Sequence, residues 1–213
     1  MIKVPRILST KTVTSSRLFK VEEVGLRFGN GREMFYERLT GHSGGVLVVP
    51  VTGDKGLLLV REYAVGFERY ELGFVKGRIE NAELPQLAAS REMREEIGLD
   101  LDPIAIIGRL DDFITRSGFV MTPVVVWVGP QRDFFANPNE VDSIHRIPVA
   151  EFMREDAPIL EDGEGGAPVL RMPVGDTWIA ARTAAILFQF REVCIGGRQT
   201  RVAHYEQPAF AWR

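Results

Sequence analysis

The sequence predicts an α/β fold, a three-layer α/β/α sandwich around a mixed β-sheet with an N-terminal β-hairpin extension. Short apolar runs typical of strands lie on both sides of a segment with helical periodicity, and a second helical segment lies near the C-terminus. Near the N-terminus, Asn30-Gly31 separates two alternating runs, which indicates a hairpin. Strands that alternate with helices favour a layered architecture. We therefore expect residues 1–44 to form the extension and residues 45–213 the main domain.

The extension contains two predicted strands, residues 19–28 and residues 32–39. Asn and Gly both tolerate a positive φ, as a tight turn between two paired strands requires. A β unit of roughly 40 residues buries too little apolar surface to be stable by itself. We expect it to pack on the main domain or on a second subunit.

The main domain begins with strand-like runs on either side of a helix. The predicted strands are residues 45–51, 56–61, 70–75, 104–110 and 122–128. The helix is predicted over residues 84–97, because Ala89, Met93 and Ile97 recur at four-residue steps. Gly98 follows as a typical C-terminal stop.

The C-terminal third is predicted to hold two helices and a loop. Residues 149–153 favour a short helix, and residues 156–168, rich in acidic residues, Gly and Pro, favour an exposed loop. A longer helix is predicted from a cap at Asp176 or Thr177 to Gly196. Its apolar face includes Cys194, which we therefore expect in the core.

Composition limits the partners and the compartment. The 213 residues are 45% apolar and 26% charged, which indicates a globular protein. A formal charge of −3 argues against a nucleic-acid polymer as partner. The apolar runs are shorter than the roughly 18 residues of a membrane helix, so no membrane partner is expected. The single cysteine is compatible with a reducing compartment, so we expect a cytoplasmic protein.

Three carboxylates carry the chemistry. Glu92, Glu95 and Glu96 have the spacing i, i+3 and i+4, so they project from one side of the predicted helix. Clustered carboxylates repel each other unless cations neutralise them, and hard oxygen ligands suit Mg²⁺ or Mn²⁺. The chain turns after Gly77, and the backbone carbonyl of Lys76 could complete the metal ligands. The alternative is a solvated helix face.

The carboxylates are part of a longer pattern, G-x5-E-x7-R-E-U-x-E-E-x-G-U with U apolar. The pattern is met by Gly77, Glu83, Arg91, Glu92, Met93, Glu95, Glu96, Gly98 and Leu99. This is the Nudix box, so the chain resembles the Nudix hydrolases. The resemblance implies a loop–helix–loop within an α/β/α sandwich, bound Mg²⁺, and hydrolysis of a nucleoside diphosphate linked to another moiety. Arg91 and Glu83 are expected to hold the loop to the helix.

The residues before the box indicate a branch of the family. Residues 61–66 (REYAVG) and 70–77 (YELGFVKG) look like the ADP-ribose pyrophosphatases, and most like the ADP-compounds hydrolase (NudE-like) branch. This resemblance implies a small nucleotide substrate: ADP-ribose or a related ADP compound such as NADH or a diadenosine polyphosphate, cleaved to AMP. It also implies nucleotide contacts from Arg61 and Glu71, and a general base in the loop after the box, for which Glu140 is the candidate.

Two alternatives stay open. Residues 110–113 (LDDF) and 117–124 (SGFVMTPV) look like coenzyme A pyrophosphatases, although the signature that those enzymes carry upstream of the box is lacking. A non-catalytic Nudix-fold ligand sensor is the alternative from another class, but such a module need not keep its acidic ligands. The family resemblance further implies a homodimer, in which the N-terminal strands dock across a two-fold axis.

Overall fold

The structure, a computed structural model, describes residues 3–16, 20–40, 44–115, 119–130, 133–163 and 166–205. The chain divides into two units, Met1–Ser43 and Gly44–Arg213. Among the described residues, the first unit has one β-sheet, and the second has two β-sheets and both α-helices. Within the described ranges, no helix is both long and apolar enough to span a bilayer.

The N-terminal unit is an antiparallel sheet of three strands in the order β1-β2-β3. The strands are β1 (Arg6–Ser15), β2 (Lys20–Arg27) and β3 (Glu33–Thr40). The predicted hairpin is confirmed as β2 and β3, although Phe19, where its first strand was predicted to begin, lies outside the described residues. Gly31 has a φ of +80°, as the turn requires. Strand β1 was not predicted, because its residues are mostly polar and all are exposed.

The central sheet of the second unit has eight strands. They are β4 (Gly45–Thr52), β5 (Gly56–Ala64), β6 (Arg69–Gly73), β7 (Lys76–Arg78), β8 (Ile106–Arg109), β9 (Phe113–Ile114), β10 (Val120–Gly129) and β11 (Ser143–Pro148). The order is β11-β5-β4-β10-β8, with β6 beside β5, β7 beside β4 and β9 beside β10. Strands β4 and β10 are parallel, and the other pairs are antiparallel. The predicted mixed sheet is confirmed.

Two helices, α1 (Pro85–Ile97) and α2 (Ala181–Phe190), cover opposite faces of this sheet. Alternate residues of a strand point to opposite faces. Val46 and Val48 of β4 accordingly belong to the core cluster that contains Met93 of α1, whereas Leu47 and Val49 belong to the cluster that contains residues of α2. The α/β/α sandwich is therefore confirmed.

Helix α1 ends where the sequence predicts. Gly98 has a φ of +69°, and its N–H donates to the carbonyl of Arg94 at 3.1 Å. The N–H of Leu99 donates to the carbonyl of Met93 at 3.1 Å, which completes a common helix-ending motif. This well-defined helix carries the three predicted carboxylates.

The C-terminal third differs from the prediction in three places. The predicted loop over residues 156–168 contains a strand, β12 (Ile159–Asp162), which pairs with β13 (Pro168–Val174), and β13 pairs with β14 (Thr177–Ile179). Helix α2 begins at Ala181 rather than after Asp176, because Gly175, with a φ of +55°, turns the chain into β14. Cys194 is exposed, since the wider helical turn Arg191–Ile195 carries it away from the core. The short helix Val149–Met153 is confirmed as a 3-10 helix.

Candidate active site

Gly77 lies against the carboxylate of Glu92. Strand β7 pairs with β4, where Val46 faces Gly77, and the chain then turns into the loop that leads to α1. A Cβ atom added to Gly77 would overlap the Glu92 carboxylate. Glycine therefore lets the strand backbone and the Glu92 carboxylate come this close, and any other residue here would displace that carboxylate.

Arg91 connects the loop to the helix. Its Nε donates to Glu83 Oε1 at 3.0 Å, and one terminal nitrogen donates to the carbonyl of Arg78 at 2.7 Å. The other terminal nitrogen donates to Glu92 Oε1 at 2.6 Å and to Glu95 Oε2 at 3.2 Å. The hydrogen bond from Arg91 is the main cause of the lowered pKa of Glu83. The predicted role of Arg91 and Glu83 in holding the loop to the helix is confirmed.

Glu96 is a buried carboxylate with one unsatisfied oxygen. Its Oε1 accepts the backbone N–H of Lys76 at 3.0 Å. Its Oε2 is buried and has no hydrogen-bond partner among the residues that the structure describes. Burial raises the pKa of Glu96, and the charges of Glu92 and Glu140 add to this effect. A buried oxygen without a donor costs free energy, which a bound cation would offset.

Glu92 and Glu95 differ in exposure although they belong to the same cluster. Glu92 is 7% exposed, and burial is the main cause of its raised pKa. The Glu95 side chain is 49% exposed and contacts Arg91 from the solvent side. Glu92 and Glu96 therefore form the buried part of the site, and Glu95 lies at its rim.

Lys76 forms an ion pair with Glu62, a residue that sequence reasoning missed. The Lys76 Nζ donates to the carboxylate of Glu62 on β5. Burial lowers the pKa of Lys76, and the neighbouring charge of Glu96 opposes that effect. The alternation along β5 could have indicated Glu62. Leu58 and Val60 belong to the core cluster on the α1 face, and Glu62, two residues further on, points to the same face.

The loop that carries Glu140 is tied to the end of α1. The backbone N–H of Asn137 donates to the carbonyl of Glu96 at 2.8 Å, and its side-chain Nδ2 donates to the carbonyl of Glu95 at 3.2 Å. Glu140 is exposed, and its charge helps to raise the pKa of both Glu92 and Glu96, after burial as the main cause. The structure therefore brings Glu140 close to the carboxylates of α1.

Arg61 and Glu71 lie on adjacent strands, and each forms a surface ion pair. Arg61 pairs with Asp142 at 2.6 Å and lies over the ring of Tyr70, with its guanidinium carbon 5.7 Å from the ring centroid. Glu71 accepts hydrogen bonds from Arg69 at 2.7 and 3.0 Å. The carbonyl of Arg61 accepts the N–H of Asp142 at 2.8 Å, which places Arg61 beside the loop that carries Glu140.

The donor set fits a hard divalent cation, although the side chains as arranged do not form a complete metal site. Within the described part of the chain, no group of three or more Asp, Glu, His or Cys side chains could hold a metal ion as it stands. Arg91 occupies oxygens of Glu92 and Glu95 instead. The unsatisfied Glu96 oxygen and the close approach at Gly77 both fit Mg²⁺ with carboxylate and carbonyl ligands.

Comparison with known families decides what this site belongs to. A model described as the NUDIX domain matches residues 41–165, more than half of the chain. The chain belongs to the Nudix hydrolases. A second model, the NudE-type Nudix hydrolase N-terminal domain, matches residues 5–38 of this Nudix hydrolase. The two matches together confirm the branch that the sequence resembles.

Individual relatives agree with this assignment. The ADP compounds hydrolase NudE of Escherichia coli (strain K12) is 46% identical over 107 residues, 50% of this chain and 57% of that protein. The chain therefore matches little more than half of that relative's length. The ADP-ribose pyrophosphatase of Bacillus subtilis (strain 168) is 26% identical over 70% of this chain and 82% of its own. A crystal structure of an ADP compounds hydrolase is 31% identical, with a TM-score of 0.59, over 92% of this chain and 97% of that one.

The two segments that resemble coenzyme A pyrophosphatases lie together in this Nudix hydrolase. Strand β9 pairs with the start of β10, where Phe113 faces Met121. The hydroxyl of Thr122 donates to Asp112 at 2.8 Å. Ser117 and Gly118, which the resemblance includes, lie outside the described residues. The two segments thus form one local structure.

Proposed function

We propose that this Nudix hydrolase is a Mg²⁺-dependent or Mn²⁺-dependent pyrophosphatase of ADP-ribose or a related ADP compound, such as NADH or a diadenosine polyphosphate. The products would be AMP and a phosphorylated moiety. The observation that carries the proposal is the buried, unsatisfied oxygen of Glu96 beside the carboxylate of Glu92. The names of the NudE and ADP-ribose pyrophosphatase relatives support the substrate class.

The metal would be held by carboxylate oxygens of Glu92, Glu95 and Glu96 and by the backbone carbonyl of Lys76. Glu92 and Glu96 are buried and so provide charge where water screens it least. Arg91, which contacts Glu92 and Glu95, would keep both side chains oriented toward the site. A bound divalent ion would offset the charge of the diphosphate and make a nearby water more acidic.

Glu140 is the proposed general base. Its carboxylate would take a proton from the water that attacks one phosphorus in line. A new O–P bond forms on that phosphorus while the bridging P–O bond breaks, and the leaving phosphate keeps the bonding electrons. The hydrogen bonds from Asn137 to the carbonyls of Glu95 and Glu96 support this role, because they hold the Glu140 loop against helix α1.

Arg61 and Glu71 are proposed to contact the nucleotide. Arg61 would provide positive charge and, with Tyr70, a flat surface at the ends of β5 and β6. Glu71 would accept hydrogen bonds from hydroxyl or amino groups of the substrate. Since each residue is paired with a neighbour, binding would have to exchange Asp142 or Arg69 for substrate atoms.

A substrate panel tests the function. Purified protein with Mg²⁺ is given ADP-ribose, NADH, diadenosine polyphosphates and coenzyme A at matched concentrations, and nucleotide release is followed by chromatography. We expect AMP release from at least one ADP compound, with a kcat/KM above that for coenzyme A, and no release in excess chelator. The Glu96→Gln variant is the inactive control.

The same panel separates the alternatives. A tenfold preference for coenzyme A, equal to about 1.4 kcal/mol of transition-state discrimination, would transfer the assignment to a coenzyme A pyrophosphatase. The pairing of β9 with β10 is the observation that favours this second candidate. Binding of ADP-ribose without turnover of any substrate would instead favour a ligand sensor.

We also propose an isologous homodimer formed through the N-terminal unit. Within that unit, Ile7, Val13, Phe35 and Leu39 are large apolar side chains that are 48–64% exposed. Exposed apolar side chains on a small sheet are typical of an interface.

A cytoplasmic location, predicted from the single cysteine and the lack of long apolar runs, remains a prediction.

A further inference from the structure

Arg182 lies in the first turn of α2, next to the segment that enters the Nudix box. A Cβ atom added to Gly73, the last residue of β6, would lie 3.5 Å from the hydroxyl oxygen of Thr183. The first turn of α2 is therefore close to the end of β6, and only Phe74 and Val75 separate Gly73 from Lys76. Strand β14, which ends shortly before α2, also packs against β6.

The guanidinium of Arg182 is half-buried and has no partner within the described ranges. Neither a hydrogen bond nor an ion pair joins it to another described residue. Burial lowers the pKa of Arg182, and the negative charge of Glu71 opposes this effect. Glu71, however, already accepts two hydrogen bonds from Arg69. A partly desolvated cation that no described carboxylate contacts is costly, and an anion bound there would offset that cost.

Lys76 is close to Arg182 but has a different electrostatic environment. Burial is the main cause of the lowered pKa of Lys76, and the positive charge of Arg182 contributes to it. Lys76 has Glu62 as its counterion. Of these two neighbouring cations, Arg182 is thus the one whose side chain makes no hydrogen bond or ion pair with a described residue.

We propose that Arg182 binds a phosphate oxygen of the diphosphate substrate. A planar guanidinium can donate two parallel hydrogen bonds to a phosphate and keeps its charge at every working pH. The carboxylates of Glu92 and Glu96 repel the same phosphates, so a fixed positive charge near Lys76 complements the metal. This inference rests on the proposed function for the identity of the nucleotide, but not for the binding of a diphosphate.

Binding of inorganic pyrophosphate tests the inference without turnover. Calorimetric titration in excess chelator compares the wild type with the variants Arg182→Gln, Arg182→Lys and Arg109→Gln. The Arg109→Gln variant is the control, because Arg109 is an exposed arginine on the edge strand β8. We expect Arg182→Gln to raise the Kd about tenfold to hundredfold, because a charge-assisted hydrogen bond is lost. The Kd of Arg182→Lys should lie between those of the wild type and Arg182→Gln, and the Kd of Arg109→Gln should match that of the wild type.

Kinetics on the best substrate provide the second readout. We expect Arg182→Gln to raise KM by a similar factor. We also expect free guanidinium, added to the Arg182→Ala variant, to restore activity. A purely structural role of Arg182 would not allow this rescue. Unchanged pyrophosphate binding in Arg182→Gln, or no binding by the wild type at millimolar pyrophosphate, would overturn the inference. If pyrophosphate binding falls in Arg182→Gln but the wild type cleaves no ADP compound, the proposed function fails and this inference stands.

Discussion

Gly77 and Glu92 lie so close together that a side chain at residue 77 would displace the Glu92 carboxylate. A Cβ atom at residue 77 would occupy the position of the Glu92 carboxylate. Strand β7 and helix α1, which carries the acidic residues, therefore come into close contact at this position. The first residue of the Nudix box thus leaves room for the buried carboxylate of Glu92.

Gly77→Ala should lower kcat by about 100-fold or more, because misplacing a catalytic group by about 1 Å can cost that much. The far end of the Glu92 side chain can rotate away from the new methyl group, so the free energy of unfolding should fall by less than about 3 kcal/mol. Steady-state kinetics and chemical denaturation measure the two effects. Gly108→Ala is the matched control, since a Cβ at Gly108 meets nothing within 4 Å. Equal activity in the two variants would contradict the role of Gly77.

Glu96→Gln should lose at least about 100-fold in turnover while the fold survives, because it removes the charge of a proposed metal ligand. Without metal, the variant should unfold at the same temperature as the wild type or higher, since a neutral amide is easier to bury than a carboxylate with an unsatisfied oxygen. Added Mg²⁺ should raise the melting temperature of the wild type only. The exposed Glu155, changed to Gln, serves as control. Wild-type rates for Glu96→Gln at saturating Mg²⁺ would disprove the site.

Glu192→Gln should lower the free energy of unfolding by about 1–3 kcal/mol at pH 7. Glu192 is buried and accepts hydrogen bonds from Arg198 at 2.8 Å and from Arg191 at 3.0 Å, and these bonds lower its pKa from the ordinary 4.5, with Arg198 as the main cause. A lowered pKa means that the stabilisation is full above about pH 4.5 and is lost as the pH falls through the folded-state pKa.

The difference in unfolding free energy between the wild type and Glu192→Gln should therefore be constant from pH 7 to about pH 5 and shrink at lower pH. Urea denaturation at a series of pH values measures it. Glu161→Gln is the control, because Glu161 pairs with Arg171 while its side chain stays 45% exposed, and such surface pairs contribute less than about 1 kcal/mol. A difference in unfolding free energy that grows toward acid pH would contradict a stabilising role of the ionised Glu192 carboxylate.

Deletion of residues 1–40 should convert a dimer into a monomer and weaken substrate binding, although the Nudix box is intact. The deletion removes all three strands of the N-terminal unit, with their exposed apolar side chains. Sedimentation velocity at micromolar concentration measures the assembly, and KM on the best substrate measures binding. A full-length protein that sediments as a monomer under these conditions would refute the proposed dimer.

Prediction from the sequence worked best where the determinants are local. The periodicity of Ala89, Met93 and Ile97 with the stop at Gly98 gave α1 to within a residue, because helix formation depends on neighbours three and four positions apart. Strand β12 and the late start of α2 were missed, because β12 and β14 form by pairing with β13, and such pairing is not encoded in the local pattern.

The sequence by itself determined the family, the α/β/α sandwich and the placement of Glu92, Glu95 and Glu96 on one helix, since each depends on spacing along the chain. Only the tertiary structure decided that Glu62 is the counterion of Lys76, that Glu140 lies near the carboxylates, and that Arg182, near the site, makes no hydrogen bond or ion pair with a described residue. These residues come from different strands, loops and helices. Their proximity depends on how the layers pack, and electrostatic interactions follow distance in space rather than distance in sequence.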